Sequence, residues 1–299
     1  MVRAKKSPKN DRSFRTMKAD YYPVQRQVNL RSSSTEVDYY VLDVGRNLSV
    51  MNHRLYRQGK TYSVKVDLDP GHAAATYDVY ALVDTWYIQK AWQLARATYL
   101  KSMADERELL TDGKQARWED FRVGAGLSGH AGGELIPARY SNGLASAADT
   151  AGEFSTTELT LPDGTTARGF RWSPTSGGFF GILDEYDKAG NTDDSPQTPG
   201  NFPYAGATEG VSDAAMTDLA NRGNAPPYDG EQFTQRVWVK IATLDAASPH
   251  GKLSTGYFNA PCGLVAVQPS VSSTAITAQL AMTVQAGDYK GVKAHNMGA

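Results

Sequence analysis

The sequence predicts an all-β chain: a single jelly-roll antiparallel β-sandwich with one or two inserted helices and a disordered basic N-terminal arm. Three observations predict it. Apolar residues recur with a period of two through most of the chain, as they do in half-buried strands. Eight or more such segments are separated by turn-rich loops. The charge is also divided: residues 1–31 carry nine Lys or Arg against Asp11 and Asp20, a net +7, so a total of −1 leaves −8 on residues 32–299. The arm is accordingly bounded at 1–31 and the body at 32–299. An immunoglobulin-like sandwich is the next choice, but its domains normally run to about 100 residues.

A chain of 299 residues buries enough surface to fold without staples. Cys262 is the single cysteine, which argues against a secreted disulfide scaffold and reads as a small buried apolar residue. No apolar run approaches the ~18 residues of a membrane helix, and the basic N-terminus lacks the apolar core of a secretory signal, so no membrane insertion is expected.

Residues 1–20 hold too few large apolar side chains to offset their ordering entropy, and Arg31-Ser-Ser-Ser34 forms a joint to the body. Residues 37–50 are an irregular strand candidate. Tyr62, Val64, Val66 and Leu68 alternate with polar neighbours, and Tyr77, Val79, Ala81 and Val83 do the same. Between Thr85 and Leu110 the period changes: Ile88, Trp92, Ala95, Tyr99 and Met103 mark an amphipathic helix of about 35 Å, stopped by Thr111-Asp112-Gly113. Leu159 to Trp172 reads as a hairpin around Asp163-Gly164. Residues 179–184 are another strand candidate, and a short helix is expected after Ser212. Phe233, Val237, Val239 and Ile241 share the apolar parity of a strand near 232–244, residues 253–267 are a further candidate, and Ile276, Ala278, Leu280, Met282 and Val284 give the cleanest alternation. Residues 124–153 and 187–211 are long loops rich in small and polar residues, of a length that is usually functional.

Few motifs carry chemistry. Gly124-Ala-Gly126-Leu-Ser-Gly129 has dinucleotide-site spacing, but His130-Ala-Gly-Gly133 opens no helix, so it reads as a mobile glycine loop. Asp184, Glu185, Asp187, Asp193 and Asp194 form an acidic loop without EF-hand spacing. The plain reading is a solvated loop; the sharper one is a weak structural Ca²⁺ site on Asp184, Asp187 and Asp193 shared between subunits. The five histidines are scattered, and no zinc or serine-hydrolase signature is present, so no enzyme activity and no other cofactor are expected.

The basic arm has a simple mechanism. Arg3, Lys5, Lys6, Lys9, Arg12, Arg15 and Lys18 can neutralise phosphates without fixed geometry, with a log–log salt slope of about −5 on single strands. Lys5-Lys6-Ser-Pro-Lys9 also has the character of a nuclear import signal.

Five segments resemble the capsid proteins of small eukaryotic viruses with circular single-stranded DNA genomes that encode their own replication initiator. They are the basic arm, Asp38-Tyr-Tyr-Val-Leu-Asp-Val44, Trp86-Tyr-Ile-Gln-Lys-Ala-Trp-Gln-Leu-Ala95, Ala116-Arg-Trp-Glu-Asp-Phe-Arg-Val123 and Gln285-Ala-Gly-Asp-Tyr-Lys-Gly-Val292. The arm here is shorter and less Arg-dense than is usual for such coats. The resemblance implies a jelly-roll subunit, an icosahedral shell of 60 copies or a multiple, and an inward arm binding viral nucleic acid, single-stranded DNA by that likeness. It also implies residence in the virion, passage through the host nucleus during assembly, and a host receptor. Two other readings compete. A carbohydrate-binding or carbohydrate-active β-sandwich would use the sixteen Tyr, five Trp and acidic loops, but leaves the arm unexplained. A non-viral nucleic-acid-binding module would need basic charge on the body.

Overall fold

A computed structural model describes residues 23–32, 38–69, 76–103, 120–127, 133–140, 146–148, 156–160, 167–176, 178–190, 237–246, 248–270 and 276–298. The molecule is mostly strand. Its main sheet is built on β1 (Gln27–Ser32), β2 (Tyr40–Asp43), β3 (Lys60–Leu68), β4 (Thr76–Leu82), β10 (Trp238–Asp245), β11 (Phe258–Ala260), β12 (Leu264–Pro269) and β13 (Thr277–Val284). Within this set β1 pairs with β13, β2 with β12, β3 with β11 and β4 with β10, all antiparallel. The first strand therefore meets the eighth, the second the seventh, the third the sixth and the fourth the fifth.

Two further pairings make rows of these pairs. β13 joins β3, giving the run β1-β13-β3-β11, and β12 joins β4, giving β2-β12-β4-β10. Strand β5 (Glu134–Tyr140) lies between β1 and β2 and closes the runs into one curled sheet. It is antiparallel to β1 and parallel to β2, so the sheet is mixed rather than purely antiparallel. The short strands β6 (Ser146–Ala148) and β14 (Ala294–Asn296) add to β5 and β3. β7 (Glu158–Thr160), β8 (Ala167–Arg171) and β9 (Phe179–Gly181) form a separate small sheet. The architecture is compatible with an all-β sandwich.

Alternation along the strands assigns the two cores. Val64, Val66, Leu280, Met282 and Val284 share one core with Tyr40, Leu42, Tyr77, Val79, Val265 and Val267. The opposite parity of the second run, Val41, Leu82 and Leu264, packs against the helices. Within that run β12 is buried on both faces, which explains the unbroken apolar stretch Leu264-Val-Ala-Val267.

Helix α1 (Val44–Asn52) follows β2 directly, with Asp43 as its N-cap, so the stretch 37–50 is not a continuous strand. Helix α2 (Trp86–Ser102) occupies the expected segment and buries Ile88, Trp92 and Ala95. Helix α3 (Ile182–Gly190) was expected as strand and loop; it continues from β9 and packs on α2.

Three other expectations change. Gln27–Ser32 is a paired strand with Val28 and Leu30 buried, so the body starts inside the stretch assigned to the arm. In β10 the register slips between Lys240 and Ala242; Val239 is left exposed and Leu244 is buried, reversing the expected face beyond the slip. Gly124 is not in a mobile loop: its N–H donates to Phe170 O at 2.8 Å and its carbonyl accepts from Trp172 N at 3.0 Å. The helix expected after Ser212 and the Asp163-Gly164 turn lie outside the described residues.

Candidate functional site

The seven arm residues Arg3, Lys5, Lys6, Lys9, Arg12, Arg15 and Lys18 lie outside the described residues, as does Asp193. Asp184 and Asp187 lie on α3 rather than in a loop. The Asp184 carboxylate accepts from Thr175 N at 2.5 Å, and Glu185 accepts from Thr175 Oγ1 at 3.1 Å. These two carboxylates thus anchor the bend between β8 and β9. Among the described residues no group of three or more His, Cys, Asp or Glu side chains is placed to hold a metal ion. No described helix is long and apolar enough to cross a membrane.

A polar cluster forms where β5 joins β1 and β2. A cavity of about 170 Å³ opens there, lined by Asp43, Arg46, Asn47, Gln58, Glu134 and Arg171 among others. Local structure sets each side chain. Asp43 ends β2, and its Oδ1 accepts from Arg46 N at 2.8 Å to cap α1. One turn into α1, Arg46 Nη1 reaches Glu134 Oε1 at 2.7 Å. Asn47 donates to Asp43 O at 2.8 Å and Leu135 O at 3.0 Å, tying the helix to β5. From the other side, residues 120–127 run in as an extended segment. Its Arg122, 4 % exposed, pairs with Asp43 Oδ2. Gln58 bridges the cluster: its N–H donates to Asp120 Oδ2 at 3.0 Å, and its amide exchanges bonds with Val123 N and O at 2.6 and 3.1 Å.

Burial raises the Asp120 carboxyl to about 6, with the Gln58 N–H and the Arg122 charge opposing that rise. Burial alone would lower the Arg122 guanidinium, but Asp43 and Asp120 reverse this and leave it raised. Cys262 sits beneath, wholly buried, and burial holds its thiol far above the usual range, so it offers no ready thiolate. Both carboxylates that line the cavity are in ion pairs with arginines. The arrangement locks four segments together around a small polar recess. Sequence reading missed all of these residues as a site, because Asp43, Gln58, Arg122 and Glu134 come from four separate segments.

No family model, no curated protein and no solved structure matches this chain.

Proposed function

We propose that this chain is a virus coat protein, a jelly-roll subunit that assembles into an icosahedral shell and packages its genome with the basic leading segment. The observation that carries the reading is the strand pairing. Eight strands paired first to eighth, second to seventh, third to sixth and fourth to fifth are what a long antiparallel ribbon gives when it is rolled up, and that is the wiring of a jelly roll. Coat subunits and lectins both use such rolls, so fold alone does not choose between them. The net +7 on residues 1–31 against −8 on the rest favours the coat, since a polyanion partner explains it and a sugar does not.

Assembly has surface to use. Val239 lies on β10 and Tyr257 just ahead of β11, the two terminal strands of the main path, and Trp86 at the head of α2 is 59 % exposed. Large exposed apolar side chains at sheet edges suit subunit contacts. The test is to express the full chain and measure particle size and the 260/280 nm absorbance ratio. Uniform particles of tens of nanometres with a raised ratio are expected, and DNase or RNase sensitivity of the contents identifies the genome type. A monodisperse subunit that binds no nucleic acid would sink the reading and return attention to carbohydrate binding.

A further inference from the structure

One rim of the roll gathers cations. It is the end at which β1 and β3 begin and β13 finishes. Arg26 precedes β1, Arg54 and Arg57 lie between α1 and β3, Lys60 opens β3, and Lys290 occupies the turn after β13. Lys60 Nζ stands 4.2 Å from the centre of the Tyr289 ring, and Lys290 Nζ is 5.5 Å from the same ring and 5.9 Å from that of Tyr56. Their hydrogen-bond partners are neutral: Arg26 donates to Gly291 O at 3.2 Å, Lys60 to the Asn296 amide oxygen and Lys290 to Leu55 O. Among the described residues Arg26, Arg57, Lys60 and Lys290 make no ion pair. The nearby acids are Asp288, exposed in the same turn, and Asp120, buried below.

The crowding has an electrostatic signature. The Lys290 ammonium is pushed down by burial, then by Arg57 and Arg54, and the Lys60 ammonium by burial and then by Arg57. Cations held this way repel one another until an anion comes between them.

The backbone adds a second observation. Tyr289 and Val292 exchange both backbone hydrogen bonds at 3.0 Å around Lys290 (φ 51) and Gly291 (φ 89). A two-residue turn with both φ positive favours Asn, Asp or Gly at its first position, and Lys is strained there. Strain at Lys290 is the kind that marks a working residue. Val24 packs on Gly291, whose Cβ position would fall 2.7 Å from Val24 Cγ2, so the chain leaving the basic leading segment enters the fold against this turn.

We infer that this rim is a phosphate-backbone contact for a nucleic-acid strand, made by Arg26, Arg57, Lys60 and Lys290 on the folded body and continuous with the root of the basic segment. The inference rests on the coat-protein reading and extends it from a tail to a fixed surface. The net −8 of residues 32–299 conceals it, because that sum says nothing of where the charges lie. The contact reads charge rather than base sequence.

The experiment uses the full chain, taken as unassembled subunits from size exclusion, with fluorescein-labelled oligothymidylate followed by anisotropy across a salt series. Three variants are compared: Lys290→Gly, the triple variant Arg57→Ala/Lys60→Ala/Lys290→Gly, and a tail variant with Arg3, Lys5, Lys6 and Lys9 changed to Ser. Lys290→Gly relaxes the turn, so its thermal stability stays level or rises while binding weakens; this keeps loss of contact apart from loss of fold. The triple variant should bind about tenfold or more weakly near 150 mM salt, and its log–log salt slope should shrink by about 2, from ~0.7 for each of three lost phosphate contacts. Wild-type affinity and slope in the triple variant, with binding lost only in the tail variant, would overturn the rim while leaving the coat reading intact. Loss of heparin binding without loss of oligothymidylate binding would overturn it too, by assigning the rim to a glycan. A wild-type chain that forms no particles and binds no oligothymidylate removes the coat reading and the rim together.

Discussion

The Asp43 carboxylate caps helix α1 with Oδ1 and pairs with the Arg122 guanidinium through Oδ2. One side chain thus ends a strand, starts a helix and neutralises a cation that is 4 % exposed. Replacing it by Ala removes a cap, costing ~1 kcal/mol, and breaks a buried ion pair, costing ~3–5 kcal/mol. Asp43→Ala should therefore lower the unfolding free energy by about 4–6 kcal/mol, read from urea denaturation. Asp43→Asn/Arg122→Met should lose far less than the sum of its single variants. Additive losses would show that the pair is not coupled.

Asp120 gives the protein an acid-side gain in stability. Its carboxyl titrates at about 6 in the fold and near 3.9 in an unfolded chain. The folded state holds the proton over that window and the unfolded state does not. The resulting stabilisation is complete below about pH 4 and is lost as the pH rises through about 6. The swing is ~3 kcal/mol at most, and Asp120→Asn, which can still accept from Gln58 N, should flatten it. Urea midpoints at pH 4.5 and 7 check this; an unchanged slope in Asp120→Asn would assign the effect elsewhere.

Trp92 fills the space between α2 and the segment 120–127, with its ring centre 5.7 Å from that of Phe121. It also lies against Gly59, where an added Cβ would stand 2.5 Å from the indole. Trp92→Ala should cost ~3–5 kcal/mol by leaving a cavity, and Gly59→Ala ~1–3 kcal/mol by overpacking. Thermal unfolding reads both, and an unchanged midpoint in either would place the indole outside the core.

Cys262 should resist thiol reagents in the native protein, since it is fully buried and burial raises its thiol. Reaction with a disulfide reagent at pH 8 should proceed only with unfolding. Rapid native labelling would contradict the packing of Pro261–Gly263 beneath the sheet.

On the proposed coat-protein reading, deleting residues 1–20 should leave the unfolding midpoint of the body unchanged and give shells with a lowered 260/280 nm absorbance ratio. An unchanged ratio would shift the packaging role to the body.

What could be read from the chain follows from physical range. β13 was legible because Ile276, Leu280, Met282 and Val284 all point into one core, so burial writes itself as strict alternation. α2 was legible for the same reason at a period of three and four. β10 misled because a one-residue slip near Ile241 exchanges faces without changing composition. α1 was hidden because no turn separates it from β2; its signals were the Asp43 cap and the spacing of Val44, Leu48 and Met51. The polar cluster left no local trace, since Gln58 and Val123 are joined across 65 positions. The basic rim escaped because its cations come from three segments, each unremarkable in charge.

The chain leaves the frame after β4 and returns at β10 through adjacent positions, with Val83 N bonded to Val237 O at 3.0 Å. The described residues between form a graft on this frame, tied to it also by Arg122 at Asp43, Asp120 at Gln58 and Gln93 at Gly298. Here one piece of the graft, β5, is sewn back into the frame as the stitch between β1 and β2. Cutting the excursion short would open a slit with two raw strand edges. A minimal version of this protein therefore has to keep Glu134–Tyr140, or supply another strand in its place.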